Sequence, residues 1–177
     1  VDTSMGFTPL AGIMMGTRSG DVDPSIIPYI MEQEGLNASE VVNDLNKKSG
    51  LLGISGKSND MRDIITAVNE GDEQAKLAFN KYVRCVTDYI AKYYVLLNGA
   101  DVICFTAGVG ENSIPVRKAV CENLKCLGIK IDEDKNNIMG EMTKISTDDS
   151  SSMVYVVPTD EELMIARDTL FFLHQNG

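Results

Sequence analysis

The sequence predicts an α/β domain. Three observations carry that reading. Short apolar runs alternate with helix-patterned stretches through the second half of the chain. Apolar residues recur at helical spacing across residues 72–97. Glycine, often paired with Asn or Ser, punctuates the boundaries. At 177 residues the chain is long enough for one ordinary domain with its own core.

Residues 1–23 are rich in Gly, Thr, Ser and Asp and read as strand fragments joined by loops. Asp23-Pro24 predicts a helix start, with Asp as N-cap and Pro at the first helical position. That helix runs to Glu34 and stops at Gly35. Asn37 followed by Glu40 resembles a capping box, opening a helix over 38–48 that ends at Ser49-Gly50. Residues 50–59 read as a Gly/Ser loop. A helix follows from Asp60 to Asn69, and the longest one spans 72–97. Its broad apolar face, including Ala75, Ala78, Tyr82, Val83, Val86 and Ile90, suits a core or a dimer interface. Asn98-Gly99 terminates it.

Val102 to Phe105 reads as a buried strand and 113–127 as a helix stopped by Gly128. Ile129 to Ile131 is a short strand and 132–140 a short helix. Thr147 to Ser152 is a polar loop, Val154 to Val157 a strand, and 160–174 the last helix. No internal repeat is visible.

Composition narrows the function. Hydrophobic residues make up 44% and charged residues 24%, a globular balance. No apolar run approaches the ~20 residues that span a bilayer, and the opening residues do not read as a signal peptide. A net charge of -10 leaves no basic footprint for nucleic acid. A small anion is still compatible, held by backbone N–H groups or a few arginines. Cys85, Cys104, Cys121 and Cys126 form no CxxC pair, and His174 is the only histidine. That argues against a Cys/His zinc site. The cysteines read as small buried hydrophobes in a reducing, cytoplasmic compartment.

Two glycine motifs need weighing. Gly56-Lys57-Ser58 looks like the end of a Walker loop, but Leu51 stands where the first Gly belongs. Gly108-Val109-Gly110-Glu111-Asn112-Ser113 resembles a dinucleotide fingerprint with Ser in place of the last Gly, and it falls past mid-chain. The local physics stands without that motif. A loop between strand and helix offers free N–H groups, and two glycines let the backbone approach a ligand. The alternative is a tight strand-to-helix turn.

Two side chains stand out as well. In Met15-Gly16-Thr17-Arg18-Ser19-Gly20, Arg18 presents a planar fork to a phosphate or carboxylate, or else pins the loop by a salt bridge to Asp21 or Asp23. In Thr159-Asp160-Glu161-Glu162, Thr159 and Glu162 fit a capping box, which leaves Glu161 free for a magnesium ion or simply solvated.

Taken together, "DTSMGFTPL", "MGTRSGDVDP", "FTAGVGENS" and "PTDEELMIARDT" resemble the C-terminal part of the acetate kinase (acetokinase) family, in the acetate and sugar kinase/actin superfamily. The match runs almost from end to end, and "TRSGD" followed by "GENS" is its most specific part. The resemblance implies a ribonuclease H-like, actin-like ATPase domain, incomplete here. It implies reversible phosphoryl transfer from ATP to acetate, giving acetyl phosphate and ADP with Mg²⁺. Carried over, Arg18 is the transition-state arginine. Asp60, Met61 and Arg62 are a nucleotide-binding triplet. Gly108, Val109, Gly110, Glu111 and Asn112 form an ATP loop, and Glu161 is the magnesium-associated carboxylate.

The chemistry implied suits these residues. Acetate is already ionised and needs no general base, so alignment and charge neutralisation do the catalytic work. An arginine keeps its charge throughout.

The family's N-terminal phosphate loop, catalytic Asp and catalytic His have no counterpart in this sequence. Ala11 stands where the family usually has Glu. A chain opening Val1-Asp2-Thr3-Ser4 without an initiator Met is therefore expected to be a portion of a longer polypeptide, inactive alone. Residues 1–177 are expected to form the C-terminal nucleotide-binding portion. The last helix, 160–174, is expected to pack on the N-terminal domain, and this half to form a homodimer. A propionate or butyrate kinase, or an ATP-binding module without chemistry, is the alternative. The "GTRSGD" wording leans towards acetate.

Overall fold

The computed structural model describes residues 1–175. Its elements are helices α1 (Ile26–Glu34), α2 (Ala38–Lys47), α3 (Gly50–Ser55), α4 (Met61–Asn69) and α5 (Glu73–Leu96), then strand β1 (Val102–Phe105). Helices α6 (Ala107–Asn112), α7 (Ile114–Asn123) and α8 (Glu133–Asn136), strands β2 (Thr143–Lys144) and β3 (Met153–Val156), and helix α9 (Glu161–Gln175) follow. The α/β class stands. In the one described sheet the strand order is β1-β3-β2, with β1 parallel to β3 and β2 antiparallel to it. No helix among the described residues is long and apolar enough to cross a membrane.

Local capping explains several helix ends. Asn37 and Glu40 form the reciprocal capping box that opens α2. Asp60 accepts from Arg62 N at the start of α4, and Asp72 accepts from Ala75 N at the start of α5. Gly35 and Gly128 adopt the left-handed conformation that ends α1 and the 3-10 turn at Lys125–Leu127. Helix α5, about 36 Å long at 1.5 Å per residue, is the spine. It packs against α3, α4 and α7. One core joins Ile64 of α4, Ala75, Ala78 and Val83 of α5, Val116 and Val120 of α7, Phe105 of β1, and Val154 and Val156 of β3.

Several expectations change. Helix α1 begins at Ile26, two residues late: Asp23 Oδ1 does accept from Ser25 N, but Ile26 N and Ile27 N bond back to Asp23 O and Pro24 O, so the first turn is tighter than an α-helix. Residues 1–23 form no strand. Carbonyls of this segment instead accept from the N-terminus of α3: Leu51 N donates to Met15 O and Leu52 N to Gly16 O. Residues 50–55 are accordingly a helix and not a loop, ended by Gly56 in the left-handed region.

Strand β1 is buried only in part, at Phe105 and partly at Ile103. Among the described residues it is a sheet edge, and Val102 and Cys104 are exposed. Residues 129–131 make only a single bridge, Ile131 to Ser146, and β2 carries the pairing with β3. The helix expected over 113–127 ends at Asn123 before the 3-10 turn. Of the cysteines only Cys121 is buried; Cys85 is half-buried, and Cys104 and Cys126 are exposed.

Candidate functional site

A cavity of 680 Å³ opens where α4, α6 and α7 meet. That volume lies within the range of small-molecule sites. Asn59, Asp60, Met61, Arg62 and Ile65 line one part, Gly108, Val109, Asn112, Ser113 and Pro115 another, and Met139 completes it. Two segments singled out in the sequence, more than forty residues apart, thus share one wall-to-wall space.

The α4 side is set by its cap. Asp60 Oδ1 accepts from Arg62 N at 2.8 Å and from Arg62 Nε at 3.0 Å, and Asp60 Oδ2 accepts from Nη2 at 2.5 Å. These bonds to Arg62 pull the Asp60 carboxyl down to about 2. The Arg62 side chain is 89% exposed, with Nε and Nη2 held on Asp60 beside the cavity. Ile65, Val109, Pro115 and Met139 contribute apolar surface of the kind that takes a flat ring system.

The glycine segment is a helical turn and not an open loop. Chain reversal after β1 places Ala107 at φ 56, a left-handed conformation that a Cβ makes unfavourable. The two glycines serve different ends. A Cβ at Gly108 would meet nothing, and this residue lines the cavity. A Cβ at Gly110 would stand 3.2 Å from the Phe105 carbonyl carbon, so that glycine lets α6 fold back onto β1. Asn112 faces the cavity while its Nδ2 donates to Gly108 O at 3.0 Å.

Gly110 and Glu111 do not line the cavity. Glu111 turns to the start of α9, where Oε1 accepts from Thr159 N at 2.8 Å and Thr159 Oγ1 at 2.9 Å. Those bonds hold the Glu111 carboxyl below its ordinary value. They also dissolve the capping box expected at Thr159 and Glu162. Asp160 takes over the helix end, accepting from Leu163 N at 2.9 Å. Glu161 is exposed in the first turn of α9, two residues beyond the Glu111 contact. Among the described residues no three metal-ligating side chains cluster.

Arg18 is half-buried and lies outside the cavity lining. The alternative, a salt bridge from Arg18 to Asp21 or Asp23, does not form. Asp21 accepts from Gly12 N and Tyr89 OH, Asp23 accepts from Ser25 N, and Arg18 Nη1 lies 3.3 Å from Met15 Sδ. Its loop abuts the cavity edge through Gly16, where a Cβ would stand 2.6 Å from Asn59 O.

Sequence reasoning missed Asn59, Ile65, Ser113, Pro115 and Met139. Ile65 was within reach of it, lying four residues after Met61 on the same face of α4. Met139 carries no local signal.

Comparison with known proteins follows the same lines. The family model described as "Acetokinase family" matches residues 1–167. An acetate kinase of Natranaerobius thermophilus is 60% identical over 168 residues, covering 95% of this chain and 42% of its own length. The crystal structure of Porphyromonas gingivalis acetate kinase superposes with a TM-score of 0.91 at 46% identity, over 96% of this chain and 43% of that one. A propionate kinase from Francisella tularensis subsp. tularensis SCHU S4 gives 0.88 at 45% identity, over 94% and 42%. The chain spans about two fifths of the length of the relatives it matches.

Proposed function

Because the chain belongs to the acetokinase family, we propose that it is the C-terminal, nucleotide-holding portion of an acetate kinase. The observation that carries this reading is the shared cavity of the Asp60–Arg62 and Gly108–Asn112 segments. In this reading the nucleotide's ring system lies against Ile65, Val109, Pro115 and Met139. The phosphates run towards the Arg18 loop. Arg18 has no ion-pair partner among the described residues, so its charge is available to the transferring phosphoryl group.

Magnesium fits the donors at hand. That ion keeps several waters and takes phosphate oxygens, so one or two carboxylates suffice. Glu161 is exposed and makes no ion pair among the described residues, which leaves it able to hold the ion directly or through water. When bound, the metal neutralises phosphate charge. The remaining catalytic groups are supplied by the rest of the polypeptide, with α9 docking on that part and the protein assembling as a cytoplasmic dimer.

The test is acyl phosphate formation from ATP, Mg²⁺ and acetate, with this chain alone and then with the N-terminal half of an acetate kinase added. Silence alone and activity on mixing support the reading. Activity of the chain alone would overturn the division of labour. ATP binding without any rescue would favour a non-catalytic module. The likeness to a propionate kinase favours one second reading, propionate as the acyl acceptor. One methylene is worth only about 1–3 kcal/mol, so both acids belong in the assay.

A further inference from the structure

Arg117 lies on α7 with none of its side chain exposed. A buried guanidinium normally demands a carboxylate partner. Arg117 forms no ion pair among the described residues. Neutral acceptors take all of its N–H groups. Nη1 donates to Gly110 O at 3.0 Å and Glu111 O at 2.8 Å. Nη2 donates to Asn136 O at 2.8 Å and Ile138 O at 2.7 Å, and Nε donates to Asn136 Oδ1 at 2.8 Å. Asn136 is itself 1% exposed and anchored through Nδ2 to Ile114 O at 3.2 Å.

The acceptors belong to two segments that both reach the cavity. Gly110 and Glu111 sit in α6, whose Gly108, Val109 and Asn112 line it. Ile138 directly precedes Met139, which lines it too. Neither segment is bonded to the other by a strand ladder. We propose that Arg117 is a positioning residue: its guanidinium fork sets the spacing between the α6 turn and residues 136–139, and thereby the shape of the cavity that takes the nucleotide. The ligand in that statement rests on the nucleotide reading above, whereas the fork's grip on the two segments does not.

Arginine is required by the donor count. Five N–H groups in one plane meet five acceptor contacts, and lysine has three donors on a single nitrogen. The uncompensated charge is tolerated because each carbonyl dipole points at it, two of them from the last turn of α6.

The experiment compares Arg117→Lys with the unaltered chain by position-resolved amide exchange and by ATP titration. The expected result is exchange at least about tenfold faster at both 107–112 and 136–139, with α5 and β1 unchanged, and ATP binding weakened about tenfold. Loosening of only one segment, of neither, or of the whole fold uniformly would overturn the proposal. So would unchanged ATP affinity in a chain whose two segments had loosened. If the unaltered chain binds no ATP even with the N-terminal half of an acetate kinase added, the nucleotide reading fails, and the paired exchange result still decides whether the fork holds the segments. If Arg117→Lys does not fold, Asn136→Ala decides, since it removes one acceptor and must loosen the same two segments.

Discussion

Glu111 and Thr159 are 48 residues apart, and one carboxylate oxygen holds both the Thr159 amide and its hydroxyl. The contact joins the glycine turn to the first turn of α9. It therefore couples the cavity wall to the position of Glu161.

The coupling is pH-dependent, and the direction follows from Glu111. Its carboxyl is held below its ordinary value of 4.5 by the Thr159 N–H and hydroxyl. A depressed carboxyl contributes its stabilisation above the unfolded value and loses it as pH falls through the folded one. The start of α9 is therefore expected to loosen only below about 4.5. The Thr159 amide shift, followed by NMR titration, checks this. A shift that stays flat through acid would sink the coupling.

Asp60 has two tasks, capping α4 and orienting Arg62. Asp60→Ala is expected to cost about 1 kcal/mol of stability through the lost cap. It is also expected to weaken ATP binding by freeing Arg62. Because the Asp60 carboxyl is lowered from 3.8 to about 2, its contribution is present above 3.8 and fades as pH falls towards about 2. Urea unfolding across that window, with and without the substitution, measures it. Parallel pH curves for the two proteins would contradict the assignment.

Gly50 has φ 63, and a Cβ there would stand 2.2 Å from Met15 O and 2.7 Å from Arg18 O. Gly50→Ala therefore pushes on the backbone of the Arg18 loop itself. A loss of about 2–3 kcal/mol in stability is expected from the combined strain and overpacking. Wild-type thermal stability in this variant would show that the loop seats elsewhere.

Arg18→Ala is expected to lower phosphoryl transfer in the reassembled enzyme by about 100-fold or more. ATP affinity should change little, because Arg18 lies outside the cavity lining. Steady-state kinetics beside ATP titration separates the two. Equal losses in both would remove Arg18 from its transition-state role.

Helix α9 leaves Leu163, Leu170 and Phe171 exposed at 43%, 55% and 58%. Phe171→Ser is expected to change the stability of this chain by less than about 0.5 kcal/mol. It should weaken reassociation with the N-terminal half, measured by co-purification and recovered activity. Destabilisation of the isolated chain would mean that α9 already packs on this domain.

Much of this was legible in the residues. The ends of α2, α4 and α5 follow from Asn37, Asp60 and Asp72, each bonding an amide two or three residues on. Such signals need no distant partner. The Asp60–Arg62 and Gly108–Asn112 segments were likewise visible, though not their meeting at one cavity. Helix α3 was hidden because its free N–H groups find acceptors in residues 15 and 16, far upstream. Thr159 and Glu162 fit a capping box locally, but Glu111 takes both the Thr159 amide and its hydroxyl from a distance.

By itself, then, the sequence determined the α/β class, most helix boundaries and the family, since propensity, capping and motif wording are properties of neighbouring residues. Only the tertiary structure decided what Glu111, Thr159, Gly110 and Arg117 do. Each is satisfied by a partner brought close by folding. A hydrogen-bonding group takes the partner that burial and geometry leave available, and no local pattern specifies that choice.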